Sequence, residues 1–157
     1  MLARSVPSPP TVIRFTDRYM VEGKNHLSGN DASEGALFVL FSAVLALHPA
    51  APPILAIDNA DHGLNPLLAR VLIKRFAEWV LERSGTQVLL TSHNPAVLDG
   101  LPLRDDRVRL FTVDRTSSGR TRVKRVIVTG EMLDLARQGW TLSRMWMTGV
   151  IGGVPNV

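Results

Sequence analysis

The sequence predicts an α/β fold built on a parallel β-α-β core, and three stretches predict it. An apolar run, Ile54–Ile57, follows the double proline Pro52-Pro53 and stops at an acid, Asp58. A short apolar run bounded by turn signals marks a strand of a buried parallel sheet. Leu67–Arg83 then repeats Leu68, Leu72, Phe76, Trp79 and Val80 at helical spacing, with Arg70, Lys74, Arg75, Glu78 and Glu82 on the polar side. Thr86–Thr91 is a second strand-like run. Strand, helix and strand joined by short links make the two strands parallel.

Each boundary in this unit has a local cause. Pro66 suits the first turn of a helix because it has no N–H to leave unpaired, and Asn65 before it is an N-cap. Ser84-Gly85 ends the helix. Upstream, Thr11–Tyr19 carries Val12, Ile13 and Phe15 and is compatible with a strand, while the Gly- and Asn-rich stretch Val21–Asp31 reads as a loop. Asp31 or Ser33 caps a helix running through Ala36–Leu47, apolar nearly all round and so expected to be buried on most sides.

Downstream, Ser92-His93-Asn94-Pro95 leads into a short helix ended by Asp99-Gly100. Arg107–Asp114 and Thr121–Val128, joined by Arg115–Arg120, read as a hairpin. Gly130–Arg137 is expected to be a helix with Met132, Leu133 and Leu135 inward. Thr141 caps a last helix with Leu142, Met145, Trp146 and Met147, before a tail containing Gly149, Gly152, Gly153 and Pro155.

The chain has 157 residues, 45% hydrophobic and 20% charged, which describes a globular chain of one domain or part of one. It contains no cysteine, so disulfides, thiolate metal sites and cysteine nucleophiles are excluded, and the lack fits a reducing cytoplasm. Met1–Pro10 is proline-rich and has no apolar core, so it reads as an extended lead-in and not a signal peptide. The longest apolar stretch, Ala36–Leu47, is too short to span a bilayer, and no membrane association is expected. The formal charge of +4 permits an anionic partner. The basic residues are densest from Arg104 to Arg125, where they form a solvated hairpin face or a stripe for nucleic acid.

In open α/β sheets the functional groups lie beyond the carboxyl ends of the strands. Asp58 and His93 both follow strands of the parallel pair and so share an edge. A carboxylate there suits Mg²⁺, which takes a few carboxylate contacts together with water and phosphate oxygens. The helix start at Ser33 and Gly35 offers free N–H groups and a partial positive charge, which suits a phosphate.

The order of these features resembles the C-terminal half of an ATP-binding-cassette-type ATPase head. Within that class it more closely resembles the AAA group related to SMC heads and overcoming-lysogenization-defect nucleases, over roughly Leu27–Gly100. The resemblance implies a partial P-loop NTPase fold of three layers, with the hairpin and terminal helices added. By it, Ala32–Leu37 matches the signature motif, whose Ser33 hydroxyl and Gly35 N–H contact the γ-phosphate of ATP held by a partner subunit. Ile54–Asp58 matches the Walker B strand, with Asp58 on Mg²⁺; His62-Gly63-Leu64-Asn65 matches the D-loop; His93 matches the switch histidine. ATP and Mg²⁺ are the implied cofactors, and a homodimer or a partner lobe carrying Walker A is the implied assembly.

Two departures qualify what the resemblance implies. The position after Asp58, where the family carries a catalytic glutamate, is Asn59. An amide holds a water but cannot take its proton, and general-base help is worth about 10²–10⁴-fold, so slow turnover follows unless Asp61 or His62 substitutes. There is also no Gly-x-x-x-x-Gly-Lys-Ser/Thr: Glu22-Gly23-Lys24-Asn25 lacks the upstream glycine and the hydroxyl. Either the reading frame is truncated or split, or a separate chain supplies the N-terminal lobe, and the sheet has an uncovered edge. The expected division is a lead-in with a strand at 1–26, the ATPase C-terminal lobe at 27–103, and the basic hairpin and helices at 104–157.

Overall fold

The computed structural model describes residues 12–152; the expected lead-in Met1–Pro10 and the tail residues Gly153 and Pro155 lie outside them. Among the described residues, the centre is the parallel pair β3 (Ile54–Ile57) and β4 (Gln87–Leu90), joined through α2 (Pro66–Glu82). The register pairs Ile54 with Gln87 and Ile57 with Leu90, as a β-α-β unit requires. Before it come β1 (Arg14–Thr16), β2 (His26–Ser28) and α1 (Glu34–Leu47). After it come α3 (Pro95–Leu98), β5 (Leu110–Arg115), β6 (Thr121–Val126), α4 (Gly130–Arg137) and α5 (Leu142–Met147).

The helix starts follow the expected capping chemistry. Ser33 caps α1 by accepting from the Ala36 N–H at 3.2 Å, and Asn65 caps α2 by accepting from Leu68 N–H at 2.9 Å. Asp31 instead accepts from the Ser28 hydroxyl at 2.6 Å. Thr141 caps α5 through the Arg144 N–H. At its other end α1 is closed by Arg83, whose guanidinium donates to the carbonyls of Leu45 and Ala46 at 3.2 and 3.1 Å.

Several expectations are corrected. The stretch Val21–Asp31 is not wholly loop: His26–Ser28 pairs antiparallel with Arg14–Thr16. Helix α2 buries Leu72 and Phe76 as expected, but Ala69 and Ile73 join them in the core while Leu68 stays exposed. Ala69 faces α3 because helices approach closest where side chains are small; a Cβ on Gly100, just past α3, would collide with the Arg70 carbonyl of α2. In α4 Met132 is buried as expected but Leu133 is exposed.

The sheet is covered on one side only, so the described residues make two layers and not three. Ile57 and Leu90 look toward Phe38 and Ser42 of α1 and Leu72, Ile73 and Phe76 of α2. On the opposite face Ile54 and Leu89 are 68% and 61% exposed. Helix α1, expected to be enclosed, buries only Gly35, Ser42 and Ala46 and leaves Phe41, Val44 and Leu47 exposed. Covering the second face of a parallel sheet takes further helices, and α1 and α2 both lie on the side of Ile57 and Leu90. A second cluster, Met132, Met145 and Ile151 with Leu110, Val126 and Trp140 around it, ties α4 and α5 to the base of the hairpin.

Candidate functional site

The parallel ladder continues past the ends of both strands and builds a rim there. Thr91 N–H donates to the Ile57 carbonyl at 3.1 Å, and Ala60 N–H donates to the Thr91 carbonyl at 2.8 Å. Asp58 and Thr91 are thereby set side by side. The Thr91 hydroxyl donates to Asp58 Oδ1 and accepts from the Asn59 N–H at 3.0 Å. Asn59 turns into the left-handed region, φ +51°, which asparagine tolerates better than most residues. Both Asp58 and Asn59 are exposed.

The next residues repeat the arrangement one step on. Ser92 donates to Asp61 Oδ1 at 2.6 Å and accepts from the Asn94 N–H at 3.0 Å. Asn94 in turn caps α3 through the Ala96 N–H. His93, between these two anchored residues, is exposed on the same rim. Asp61 is thus held by a hydroxyl across the two strand ends, and His62 is held elsewhere, which bears on both as stand-ins for a general base.

His62 Nε2 lies 2.8 Å from Glu34 Oε1, an ion pair when the imidazole is protonated. This contact joins the loop after β3 to the first turn of α1. The backbones meet beneath it: a Cβ on Gly35 would come 2.8 Å from the Gly63 carbonyl oxygen, and Gly63 itself has φ +68°. Only glycine fits such an approach and such a dihedral without strain. Gly35 is buried by this contact, whereas Ser33 and Glu34 are exposed. What Gly35 does here is let the Gly63 loop close on the helix start, and Ser33 is the accessible part of that start.

The fit of a divalent cation follows from the donor set. Asp58 offers a carboxylate with one oxygen engaged by Thr91, and among the described residues no group of three His, Asp or Glu side chains gathers to cage a metal. That suits Mg²⁺, which keeps most of its water and borrows phosphate oxygens, and does not suit an all-protein cage.

The sequence singled out Ser33, Gly35, Asp58, Asn59, His62, Gly63, Asn65 and His93; the fold sets Asp58, Asn59 and His93 along two adjoining strand ends and His62 and Gly63 against the start of α1 at Ser33 and Gly35, whereas Asn65 caps α2 instead. It adds Thr91, Ser92 and Glu34, which sequence reading missed. Thr91 was detectable in principle, because pairing Ile57 with Leu90 forces the next residues, Asp58 and Thr91, to be neighbours.

A solved structure described as "Structural biochemistry of ATP-driven dimerization and DNA stimulated activation of SMC ATPases" is distantly similar, at 18% identity and a TM-score of 0.46, over 76% of this chain and 69% of that one. Comparison with curated proteins gives no match. Residues 21–99 match the family described as "AAA domain, putative AbiEii toxin, Type IV TA system". That span is half of the chain and includes every residue of the rim and of the helix start, so the chain belongs to this AAA-type ATPase domain family.

Proposed function

We propose that residues 27–103 are the C-terminal lobe of an ATP-hydrolysing cassette and work with a partner lobe or subunit that carries Walker A. The observation that carries this reading is the shared rim: Asp58, bonded to Thr91, beside the Ser92-His93 turn. In this reading Asp58 holds Mg²⁺ through water, and the ion would offset charge on the β- and γ-phosphates. His93 reaches the γ-phosphate, and Ser33 meets the nucleotide of a second subunit. The loop from His62 to Asn65 passes position from one site to the other, because it is tied to α1 at Glu34 and Gly35. The bare sheet face at Ile54 and Leu89 and the bare side of α1 support a missing lobe, since parallel sheets are stable with both faces covered.

Hydrolysis is slow in this reading. Asn59 cannot accept a proton, and Asp61 and His62 are already engaged by Ser92 and Glu34. The experiment is ATP turnover by this chain alone, with a Walker A-bearing lobe, and with that lobe after Asp58→Ala. Turnover that needs both the lobe and Asp58 supports the proposal; turnover indifferent to Asp58 removes it.

Asn59 also favours a second reading, a nucleotide-gated clamp in which hydrolysis is secondary and the bound state matters. Its partner would be nucleic acid, met through the Arg104–Arg125 region. Salt-sensitive nucleic-acid binding supports it, and no binding at any salt removes it.

A further inference from the structure

The charge of this chain is concentrated in one place. Residues 104–125 hold eight Arg or Lys and three Asp, a formal +5; the rest of the chain holds ten Arg or Lys and eleven Asp or Glu, a formal −1. Two of those three acids are engaged locally, Asp105 by Arg107 and Asp114 by Arg122. Among the described residues, Arg115, Arg120, Lys124 and Arg125 have no carboxylate within ion-pair distance.

These cations lie on both faces of the β5–β6 ribbon and at its tip. The register sets Arg125 opposite Phe111 and Arg115 opposite Thr121 on one face, and Lys124 opposite Thr112 and Arg122 opposite Asp114 on the other. Arg120 lies in the turn. The ribbon is anchored at its open end, where Leu110 and Val126 pack on the Met132–Met145–Ile151 cluster. Toward the turn, Val113 and Val123 are 62% and 63% exposed.

A flat acidic protein surface would engage one face of such a ribbon and leave the other cations idle. A groove walled by phosphates engages both faces and the tip together. The major groove of B-form DNA, about 12 Å wide, admits a two-stranded ribbon. The deep, narrow major groove of A-form RNA does not. Six-residue strands reach about 20 Å, enough to follow such a groove. Phe111, Val113 and Val123 then supply apolar contact to sugars and thymine methyl groups.

We propose that the β5–β6 ribbon is a duplex-DNA probe that lies along the major groove, with Arg115, Arg120, Lys124 and Arg125 on the phosphates. The proposal rests on the second reading above and deepens it to one nucleic-acid form and one mode of entry. Its test is fluorescence anisotropy of the full chain, without nucleotide and with ATP and Mg²⁺. The probes are a mixed-sequence duplex DNA of about two helical turns, the same sequence as duplex RNA and as single-stranded DNA, and polyglutamate as a competitor.

The expected result is preference for duplex DNA over both other forms. Four phosphate contacts give a slope of log affinity on log salt of about −3.6, and Arg120→Ala and Lys124→Ala each reduce that slope by about one. Arg75→Ala, on the surface of α2, leaves affinity and slope unchanged. Circular dichroism shows whether each variant is folded, and Arg115→Ala gives a further readout where one is not. Equal or tighter binding of RNA or single-stranded DNA, slopes untouched in the ribbon variants, or displacement by polyglutamate at matched charge overturns the groove proposal alone. Absence of binding to every nucleic acid, both without nucleotide and with ATP and Mg²⁺, overturns it together with the second reading.

Discussion

The Thr91 hydroxyl donates to the carboxylate of Asp58 across the ends of two parallel strands, and at the same atom accepts the backbone N–H of Asn59. One side chain therefore fixes both the acid and the direction of the chain that follows it. Thr91→Val keeps the shape and removes both bonds. A hydrogen bond contributes about 1 kcal/mol and an orphaned partner costs about 1–3. At about 2–4 °C per kcal/mol for a chain of this size, the melting midpoint should fall by roughly 2–12 °C. In an assembly completed by a Walker A lobe, Mg²⁺-dependent nucleotide affinity should fall as well. A variant with unchanged melting and unchanged Mg²⁺ dependence would contradict this role for Thr91.

Gly35 and Glu34 hold the same loop in different ways, and their substitutions should separate. Gly35→Ala pushes a methyl group into the Gly63 carbonyl, backbone against backbone, and should cost about 1–3 kcal/mol. Glu34→Gln removes a charge from an exposed pair, and such pairs are worth about 0–1 kcal/mol. Gly29→Ala, where an added Cβ meets nothing within 4 Å, is the matched control. Urea denaturation of the three variants measures the order; a Gly35→Ala curve overlying that of Gly29→Ala argues against the close contact.

Asn59→Glu tests the chemistry of the rim. A carboxylate at this position can accept a proton from water, and general-base help is worth about 10²–10⁴-fold. The left-handed backbone, φ +51°, opposes the change by roughly 1–2 kcal/mol of stability. The expected outcome in the completed assembly is faster ATP turnover at slightly lower melting temperature. Turnover that stays flat while the variant remains folded places the missing base elsewhere.

Acid should loosen the connection between α2 and the hairpin. Arg107 holds Asp105 by side-chain hydrogen bonds and by its backbone N–H, and these lower the carboxyl from 3.8 to about 2. The same guanidinium donates to the Leu81 carbonyl at the end of α2. A carboxyl depressed in the folded state contributes stability that is whole above pH 3.8 and drains as pH falls toward about 2. Asp105→Asn should be less stable at neutral pH and should flatten the pH dependence in that window. A parallel decline of both proteins from pH 4 to 2 would show that other carboxylates set the acid limb.

Much of the site was legible in the sequence because its causes are local. Ser33, Asn65 and Thr141 cap the helices that follow them through bonds three residues away, and such bonds are written in the chain order itself. The parallel pairing of Ile54–Ile57 with Gln87–Leu90 follows from a short-linked strand, helix and strand, which leaves few other arrangements. Motif order at Asp58, His62-Gly63 and His93 belongs to the same class of information.

The rest was decided by contacts between distant residues. A three-residue strand at His26–Ser28 exists only because Arg14–Thr16 lies beside it. Leu72 and Phe76 were legible in the spacing of α2, but Ala69 turns inward where α3 comes close to α2 near Gly100, and the spacing does not encode that approach. Whether α1 is enclosed depends on what else is folded against it, which no window of its own residues encodes. Thr91 on Asp58, Ser92 on Asp61 and Glu34 on His62 each join residues 28 to 33 positions apart. Capping and periodicity are properties of neighbours in sequence, whereas a carboxylate's partner is chosen by neighbours in space.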